Sequence, residues 1–251
     1  MPVKRNHKIK EIKKYLKLLM MPGFSAALED ALHKTDVFTE DVLLELLKIE
    51  LTNRESNRVQ RLLRQSRLPL DKNVDNFDFK KIPLKINRQF NALQDGSFLD
   101  RKENVLVFGK PGSGKTHLLC ALGVSLIYSG RRAYFTTTSY LVQELLVAKR
   151  ELKLETFIKK LEKFEALIID DIGYVQQTRE EMEVLFTLLA HRYERGSVLL
   201  TSNLPFSKWE QIFKDPMTTA AAIDRLVHHS IILELNIPSY RLETAKRKNI
   251  K

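Results

Sequence analysis

Apolar residues recur at helical spacing through the first 70 residues, in two stripes. The first comprises Ile9, Ile12, Leu16 and Leu19, and the second comprises Val42, Leu43, Leu46, Leu47 and Leu51. Thr39 followed by Asp41 indicates a helix start, because an acidic side chain is favoured near the positive end of a helix. Since this region offers no good strand candidate, the pattern predicts three or four helices.

The pattern changes after residues 69–86, which have the composition of a connector. Beyond them, short apolar runs alternate with helical segments. The predicted strands are Asn104–Phe108, Arg132–Thr137, Ala166–Ile169, Ser197–Thr201 and Ser230–Leu235. The predicted helices are Lys115–Tyr128, Ser139–Lys149, Leu152–Lys163, Arg179–Glu194, Trp209–Phe213 and Ala220–Val227. Strands separated by helices predict an α/β fold, with a parallel sheet flanked by helices on both faces.

These patterns predict two domains. Residues 1–70 form a small, basic, all-α N-terminal domain, and residues 71–251 form the α/β domain, with the linker at 69–86. The chain carries 42 Lys and Arg against 31 Asp and Glu, a formal net charge of +11. Such an excess favours an anionic partner, nucleic acid first, although it also serves solubility alone.

The composition argues against a membrane or secreted protein. No apolar run approaches the ~20 residues needed to span a bilayer, and the basic start lacks the apolar stretch of a secretory signal. Cys120 is the only cysteine, so no intrachain disulfide can form. We therefore expect a cytoplasmic protein with no membrane partner.

Residues 109–116 match the phosphate-binding P-loop pattern in full. They are Gly109, Lys110, Pro111, Gly112, Ser113, Gly114, Lys115 and Thr116, and His117 follows them in the predicted nucleotide site. Glycines let the backbone turn its N–H groups towards one phosphate, and the helix that follows adds partial positive charge. The lysine is suited to the β and γ phosphates, and the threonine hydroxyl to magnesium. The apolar strand before and the helix after predict an ATP site with Mg²⁺, not an ordinary glycine-rich turn.

Two further strand ends carry polar residues. Asp170 and Asp171 follow the apolar run Ala166–Ile169, at the strand end where ligands bind in open α/β sheets. Because successive strand residues point to opposite sides, we expect Asp170 to hold magnesium and Asp171 to act as general base or to orient water. Asn203 ends the run Thr201-Ser202-Asn203 and is the candidate for contacting the attacking water or the γ-phosphate. The alternative for both segments is a simple turn.

Four segments in this order resemble the initiator branch of the AAA+ ATPases: GKPGSGKTHL, LIIDDIG, TSNLPFSKW and AAIDRLVHHS. The chain is most similar to IstB-like transposition helper ATPases, with DnaC-like helicase loaders next. The resemblance extends over nearly the whole chain, because ELTNRESNRVQRLLRQSRLP with NFDF resembles the IstB N-terminal region and linker, and IPSYRLETAKRK resembles its C-terminal segment. It implies a P-loop NTPase of the AAA+ type that hydrolyses ATP.

The resemblance also implies a homo-oligomer with ATP at the subunit interfaces. An arginine from the neighbouring subunit then contacts the γ-phosphate, and the matching residue in this chain is Arg225. The alternative role for Arg225 is an internal salt bridge. Phe77 and Phe79 of the linker are expected near the adenine or in the core. Only about 16 residues follow Ser230–Leu235, too few for the C-terminal lid domain of many AAA+ proteins, and Arg241 has no clear role. Many members carry Glu where this chain has Asp171, so base function is expected to be slow or to need a bridging water.

Duplex DNA, bound largely without sequence preference, is the expected nucleic acid. Candidate phosphate contacts are Arg54, Arg58, Arg61, Arg131, Arg132, Lys149, Arg150 and Lys153. The first three share a helix face by spacing, and a solvated charged surface is the alternative for each cluster.

The leading interpretation is a DNA-binding AAA+ regulator that assembles with ATP and assists a cognate transposase in target selection. The alternative is a DnaC-like helicase loader. A small-molecule kinase is disfavoured, since the chain offers no arginine-rich lid segment.

Overall fold

The computed structural model describes residues 2–32, 39–173, 178–209 and 216–240. Contacts between backbone positions divide the chain into two compact units, residues 1–61 and residues 62–251. Within the described residues, no helix is both long and apolar enough to cross a bilayer.

The N-terminal unit is helical, as predicted. It contains α1 (Pro2–Leu18), α2 (Pro22–Leu32) and most of α3 (Thr39–Ser66), which begins at the predicted residue. Its small core consists of Leu16, Phe24, Leu28, Ala31 and Leu46. Only part of each predicted stripe is buried: Leu46 is 2% exposed, whereas Leu43, Leu47 and Leu51 are 51%, 40% and 67% exposed. Much of the apolar side of α3 therefore faces solvent in this structure.

The second unit is built on five parallel strands. They are β1 (Asn104–Gly109), β2 (Ala133–Thr137), β3 (Ala166–Ile172), β4 (Ser197–Ser202) and β5 (Ser230–Leu235). The strand order is β2-β3-β4-β1-β5, and every neighbouring pair is parallel. The predicted parallel sheet is therefore confirmed. The main difference lies in β3, which continues three residues past its predicted end and so includes both aspartates.

Helices cover the two faces of the sheet. The remaining helices are α4 (Leu84–Leu93), α5 (Ser97–Asp100), α6 (Lys115–Tyr128), α7 (Thr138–Arg150), α8 (Leu154–Glu162), α9 (Arg179–Arg192) and α10 (Pro216–Val227). One face of the sheet packs against α7, α8 and α9, with Leu106, Leu167 and Leu200 in the shared core. The alternate strand positions face the other way, and there Ile168 approaches α6. Of the predicted helix Trp209–Phe213, only Trp209 is among the described residues. Arg241 also lies outside them.

Local sequence explains several helix ends. Thr178 and Glu181 form a capping box at the start of α9: the Glu181 backbone N–H donates to the Thr178 hydroxyl, and the Thr178 N–H donates to the Glu181 carboxylate. Gly114 precedes α6 in the left-handed conformation, with φ 90°. This geometry directs the chain from β1 through the P-loop and into α6.

Candidate functional site

The P-loop connects β1 to α6 at the carboxyl edge of the sheet. Gly112 and Gly114 have φ angles of 79° and 90°, a region that favours glycine. A Cβ atom on Gly112 would collide with the Ser239 side chain. Two properties of glycine, its backbone freedom and its small size, are therefore both needed at position 112.

The polar atoms of the loop suit a chain of phosphates. Lys115 is 5% exposed, and its Nζ donates to the carbonyl oxygens of Gly109 (2.9 Å) and Lys110 (3.1 Å). Within the described residues, the buried hydroxyl of Ser113 has no hydrogen-bond partner. Since buried polar groups are normally hydrogen-bonded, this hydroxyl fits a polar ligand held in the loop.

The two aspartates of β3 have different surroundings. Asp170 is 6% exposed, and its Oδ1 accepts hydrogen bonds from the hydroxyls of Thr116 (2.8 Å) and Thr201 (2.6 Å). Asp171 is exposed and lines the cavity beside the P-loop. Its backbone is left-handed, with φ 58°, at an irregularity in the pairing of β3 with β4. Oxygen donors from Thr116 and Asp170 form the type of set that Mg²⁺ prefers.

A cavity of about 410 Å³ adjoins the P-loop. Residues 111–117, Asp171 and Asn203 line one part of it, and Phe77, Ile82, Ile237, Pro238 and Tyr240 line another. Phe77 contacts the ring of His117 edge-on, with centroids 5.1 Å apart, whereas Phe79 packs between Phe77 and Phe90. Of the two linker aromatics, the structure therefore brings Phe77 to the cavity and Phe79 towards the core.

The segment after β5 closes one side of this cavity. The backbone N–H of Tyr240 donates to the Gly112 carbonyl (2.9 Å), and Lys81 Nζ lies 4.6 Å from the centroid of the Tyr240 ring. Neither Tyr240 nor Thr201 is among the site residues predicted from the sequence. Tyr240 lies within the IPSYRLETAKRK segment, and Thr201 lies two residues before Asn203, so the signal was present for both.

Asn203 and Arg225 lie in different places. Asn203 lines the cavity, and within the described residues its buried Oδ1 has no hydrogen-bond partner, which suits an acceptor for water. Arg225 lies on α10, where its guanidinium stacks over Phe186 at 5.0 Å and donates to the Ala221 carbonyl. Arg225 does not line the cavity of its own chain.

The basic candidates have mixed surroundings. Arg131 is held by Asp100 at 2.8 and 2.7 Å and by Glu165 at 2.9 Å, and these hydrogen bonds raise the pKa of its guanidinium. Lys149 pairs with Glu180 and Glu183, Lys153 with Glu151, and Arg54 with Glu50. The other candidates have exposed side chains: Arg58, Arg61, Arg132 and Arg150.

The single cysteine takes no part in this chemistry. Cys120 is fully buried within α6. Burial raises the pKa of its thiol to about 12, so the nucleophilic thiolate is scarce at neutral pH.

The family model described as IstB-like ATP binding protein matches residues 13–248. The chain belongs to this family. A Sinorhizobium fredii protein named as an insertion sequence ATP-binding protein is 47% identical over 197 residues, 78% of this chain and 66% of that relative. A Pseudomonas aeruginosa protein named as an ATP-binding protein of insertion sequence IS21 is 36% identical over 96% of this chain and 92% of that relative.

Solved structures agree on the fold of this IstB-like protein. The crystal structure of the DnaC helicase loader matches with a TM-score of 0.57 and 19% identity, over 67% of this chain and 97% of the loader. At this identity the match shows the fold alone, a P-loop core of the AAA+ type. The family match confirms the predicted family and ATPase assignment. The structural match confirms the predicted fold class.

Proposed function

We propose that this IstB-like ATPase is a DNA-binding AAA+ regulator of transposition. It assembles on duplex DNA with ATP and assists a cognate transposase in target selection, and hydrolysis of ATP controls its assembly and release. The main support is the site itself, in which Thr116 of the P-loop lines a cavity large enough for a nucleotide and is hydrogen-bonded to Asp170. The insertion-sequence names of relatives that match along most of the chain support the link to transposition.

In this proposal the P-loop holds the triphosphate of ATP. The backbone N–H groups of residues 112–116 and the Lys115 ammonium bind the β and γ phosphates, and the Ser113 hydroxyl gains the partner that it lacks within the described residues. Magnesium, when bound, neutralises charge on those phosphates. Thr116 and Asp170 would hold it, directly or through water. Phe77, with Ile237 and Tyr240, provides the wall against which the adenine packs.

In this proposal Asp171 deprotonates the attacking water, and Asn203 helps to orient it. Both residues line the cavity, and the carboxylate of Asp171 is an acceptor suited to take a proton as water attacks the γ-phosphate. Asn203 supplies a second polar contact for that water or for the phosphate. Since aspartate is shorter than the glutamate of many AAA+ proteins, hydrolysis is expected to be slow. A slow step is suited to timing the release of the assembly.

Completion of the site requires a second copy of the chain. Arg225 stacks over Phe186 and does not line the cavity of its own chain, so in this proposal it reaches the γ-phosphate of a neighbouring subunit. A guanidinium is suited to that position because its fork neutralises charge developing during phosphoryl transfer. ATP would therefore lie at the subunit interface and favour assembly.

The N-terminal domain and the basic side chains provide contacts with partners. Helix α3 carries exposed leucines followed by exposed Arg58 and Arg61, a combination suited to a protein contact beside a phosphate contact. Arg132 and Arg150 are further candidates for DNA phosphates. Binding through phosphates predicts little sequence preference and a steep dependence on salt.

A strand-transfer assay with the cognate transposase tests this proposal. We expect insertion into target DNA to depend on this protein and on ATP, and the Asp171→Asn variant to alter the amount or distribution of insertions. Insertion that is identical with and without the protein would refute the transposition role. Loading of a replicative helicase by the protein would instead favour the helicase-loader alternative.

A further inference from the structure

Thr201 of β4 contacts both aspartates of the site at once. Its side chain is fully buried, and its hydroxyl donates to Asp170 Oδ1 at 2.6 Å. The same hydroxyl accepts the backbone N–H of Asp171 at 2.8 Å. A hydroxyl can donate and accept together, so one side chain links the Asp170 carboxylate to the Asp171 backbone.

This contact lies at a break in the strand register. Ile169 pairs with Leu200 and Ile172 with Ser202, so two residues of β3 lie opposite Thr201 alone. Such a bulge removes backbone groups from the regular ladder. The Thr201 hydroxyl supplies the acceptor that the Asp171 N–H would otherwise take from a neighbouring strand.

The bulge also fixes an unfavourable backbone conformation. Asp171 has φ 58°, a left-handed conformation that residues other than glycine adopt only where their surroundings hold them. In this conformation Asp171 lines the nucleotide cavity while its neighbour Asp170 faces Thr116. The hydrogen bond from Asp171 N–H to Thr201 is one of the contacts that stabilise this arrangement.

The Asp170 carboxylate is oriented from two sides. Thr116 on α6 and Thr201 on β4 both donate to Oδ1, and Thr138 donates to the Asp170 backbone carbonyl at 2.9 Å. Among these three hydroxyls, Thr201 also has a hydrogen bond to Asp171. Thr201 is therefore placed to link Asp170, the proposed magnesium ligand, to Asp171, the proposed base.

We propose that Thr201 is a positioning residue for ATP hydrolysis. It orients the Asp170 carboxylate beside Thr116, and it stabilises the bulge that brings Asp171 to the cavity. This proposal rests on the proposed ATPase mechanism and adds to it a residue on β4 that itself touches neither nucleotide nor metal.

Three variants separate the hydroxyl from the packing of the side chain. Thr201→Val replaces the hydroxyl by a methyl group of similar size, Thr201→Ser keeps the hydroxyl, and Ser197→Ala removes a buried hydroxyl from the same strand. Ser197 is a suitable control because its hydroxyl has no hydrogen-bond partner within the described residues. Thr201→Ala serves as a second hydroxyl-free variant if the added methyl of valine disturbs folding.

Two measurements are made on each full-length variant: binding of a fluorescent ATP analogue in EDTA and during a magnesium titration, and kcat for ATP hydrolysis. For Thr201→Val we expect kcat to fall about 10- to 100-fold, since the hydrogen bond to the Asp170 carboxylate and the one from the Asp171 backbone N–H are both lost. The magnesium concentration needed to tighten analogue binding should rise, whereas binding in EDTA should stay within about twofold of wild type, because no P-loop contact is removed. Thr201→Ser and Ser197→Ala should retain wild-type kcat and magnesium response within about threefold, since both keep the Thr201 hydrogen bonds.

Unchanged kcat and magnesium response in Thr201→Val would overturn the proposal. Equal losses in the valine and serine variants, with analogue binding in EDTA intact, would overturn it too, because the serine variant keeps the hydroxyl and the loss would then follow the packing of the side chain. A wild-type protein that neither binds the analogue nor hydrolyses ATP would refute the proposed function itself, a result distinct from failure at Thr201.

Discussion

The Thr116 hydroxyl donates a hydrogen bond of 2.8 Å to Asp170 Oδ1, although the two residues lie 54 positions apart in the sequence. This bond joins the first turn of α6 to the end of β3. It therefore connects the phosphate-binding loop with the acidic strand end through the oxygen atoms that are best suited to magnesium. The arrangement predicts separable effects for variants of the loop, of the acids and of the surrounding surface.

Asp171→Asn should separate ATP binding from hydrolysis. Asparagine tolerates the left-handed backbone of position 171, so the bulge should persist, but the amide is no base. We expect binding of ATP within about threefold of wild type and kcat reduced by about 100-fold or more, the range typical of a lost general base. Asp75→Asn, a change at an exposed acid outside the cavity, is the control. Normal turnover by Asp171→Asn would place the base elsewhere.

Gly112→Ala should abolish nucleotide binding for two combined reasons. The added Cβ meets the Ser239 side chain, and φ at this position is 79°. Gly130→Ala is a matched control, because Gly130 has a similar φ of 83° but lies at the end of α6, outside the cavity. Equilibrium binding of a fluorescent ATP analogue checks the prediction. Equal loss of affinity in both variants would mean that backbone strain alone is responsible, without the contact to Ser239.

Glu50 should make the stability of the N-terminal unit depend on acid pH. Burial opposes ionisation of this carboxyl, but hydrogen bonds from Arg54 and from the backbone N–H groups of Phe24 and Gly23 outweigh it and lower the pKa of Glu50 below 4.5. Because the folded state favours the charged form, its stabilisation is present above pH 4.5 and is lost as pH falls through the lowered value. Glu50→Gln should therefore destabilise the unit by about 1–3 kcal/mol at neutral pH.

Hydrogen exchange of the Phe24 amide measures this effect directly, since that N–H donates to Glu50 at 3.0 Å. Exchange should be faster in Glu50→Gln than in wild type at neutral pH, and the difference should shrink as pH falls from 4.5 through the lowered pKa of Glu50. Glu55→Gln, at an exposed position of the same helix, should exchange as wild type does. A difference that is constant from pH 7 to pH 3 would contradict the assigned role of the Glu50 charge.

Arg131 and Arg132 should differ although they are adjacent. Arg131 is bonded to Asp100 and Glu165, so Arg131→Ala should lower the free energy of unfolding by about 1–2 kcal/mol. The exposed side chain of Arg132 is a candidate phosphate contact, so Arg132→Ala should weaken DNA binding and reduce the salt slope by about 1. Urea unfolding and salt titrations of DNA affinity distinguish the two. The reverse pattern would assign the DNA contact to Arg131.

Sequence reasoning predicted the parts of the site that depend on local order. The P-loop, its preceding strand and its following helix occupy consecutive positions, so one pattern determines them together. The Thr201 bridge depends on the register between β3 and β4, which lie 30 residues apart, and no local pattern reveals a bulge. The exposed leucines of α3 are a similar case, because periodicity finds an apolar face without showing how much of it is covered.

Long-range contacts also decide between the alternatives that the sequence left open. Phe77 and Phe79 have the same side chain two positions apart, and only the tertiary fold directs one to the cavity and the other to Phe90. Likewise, Arg131 and Arg132 have the same charge, and the positions of Asp100 and Glu165 are needed to distinguish them.

Sedimentation velocity with duplex DNA tests the central claim, that ATP at the P-loop controls assembly on DNA. For the wild type we expect large DNA-bound assemblies with ATP and magnesium, and only small species without nucleotide. Asp171→Asn should keep the assemblies after wild type has released them, and Lys115→Ala should not form them, whereas Lys85→Ala, at an exposed lysine outside the cavity, should behave as wild type does. Sedimentation profiles of wild type that are the same with and without ATP would contradict the account.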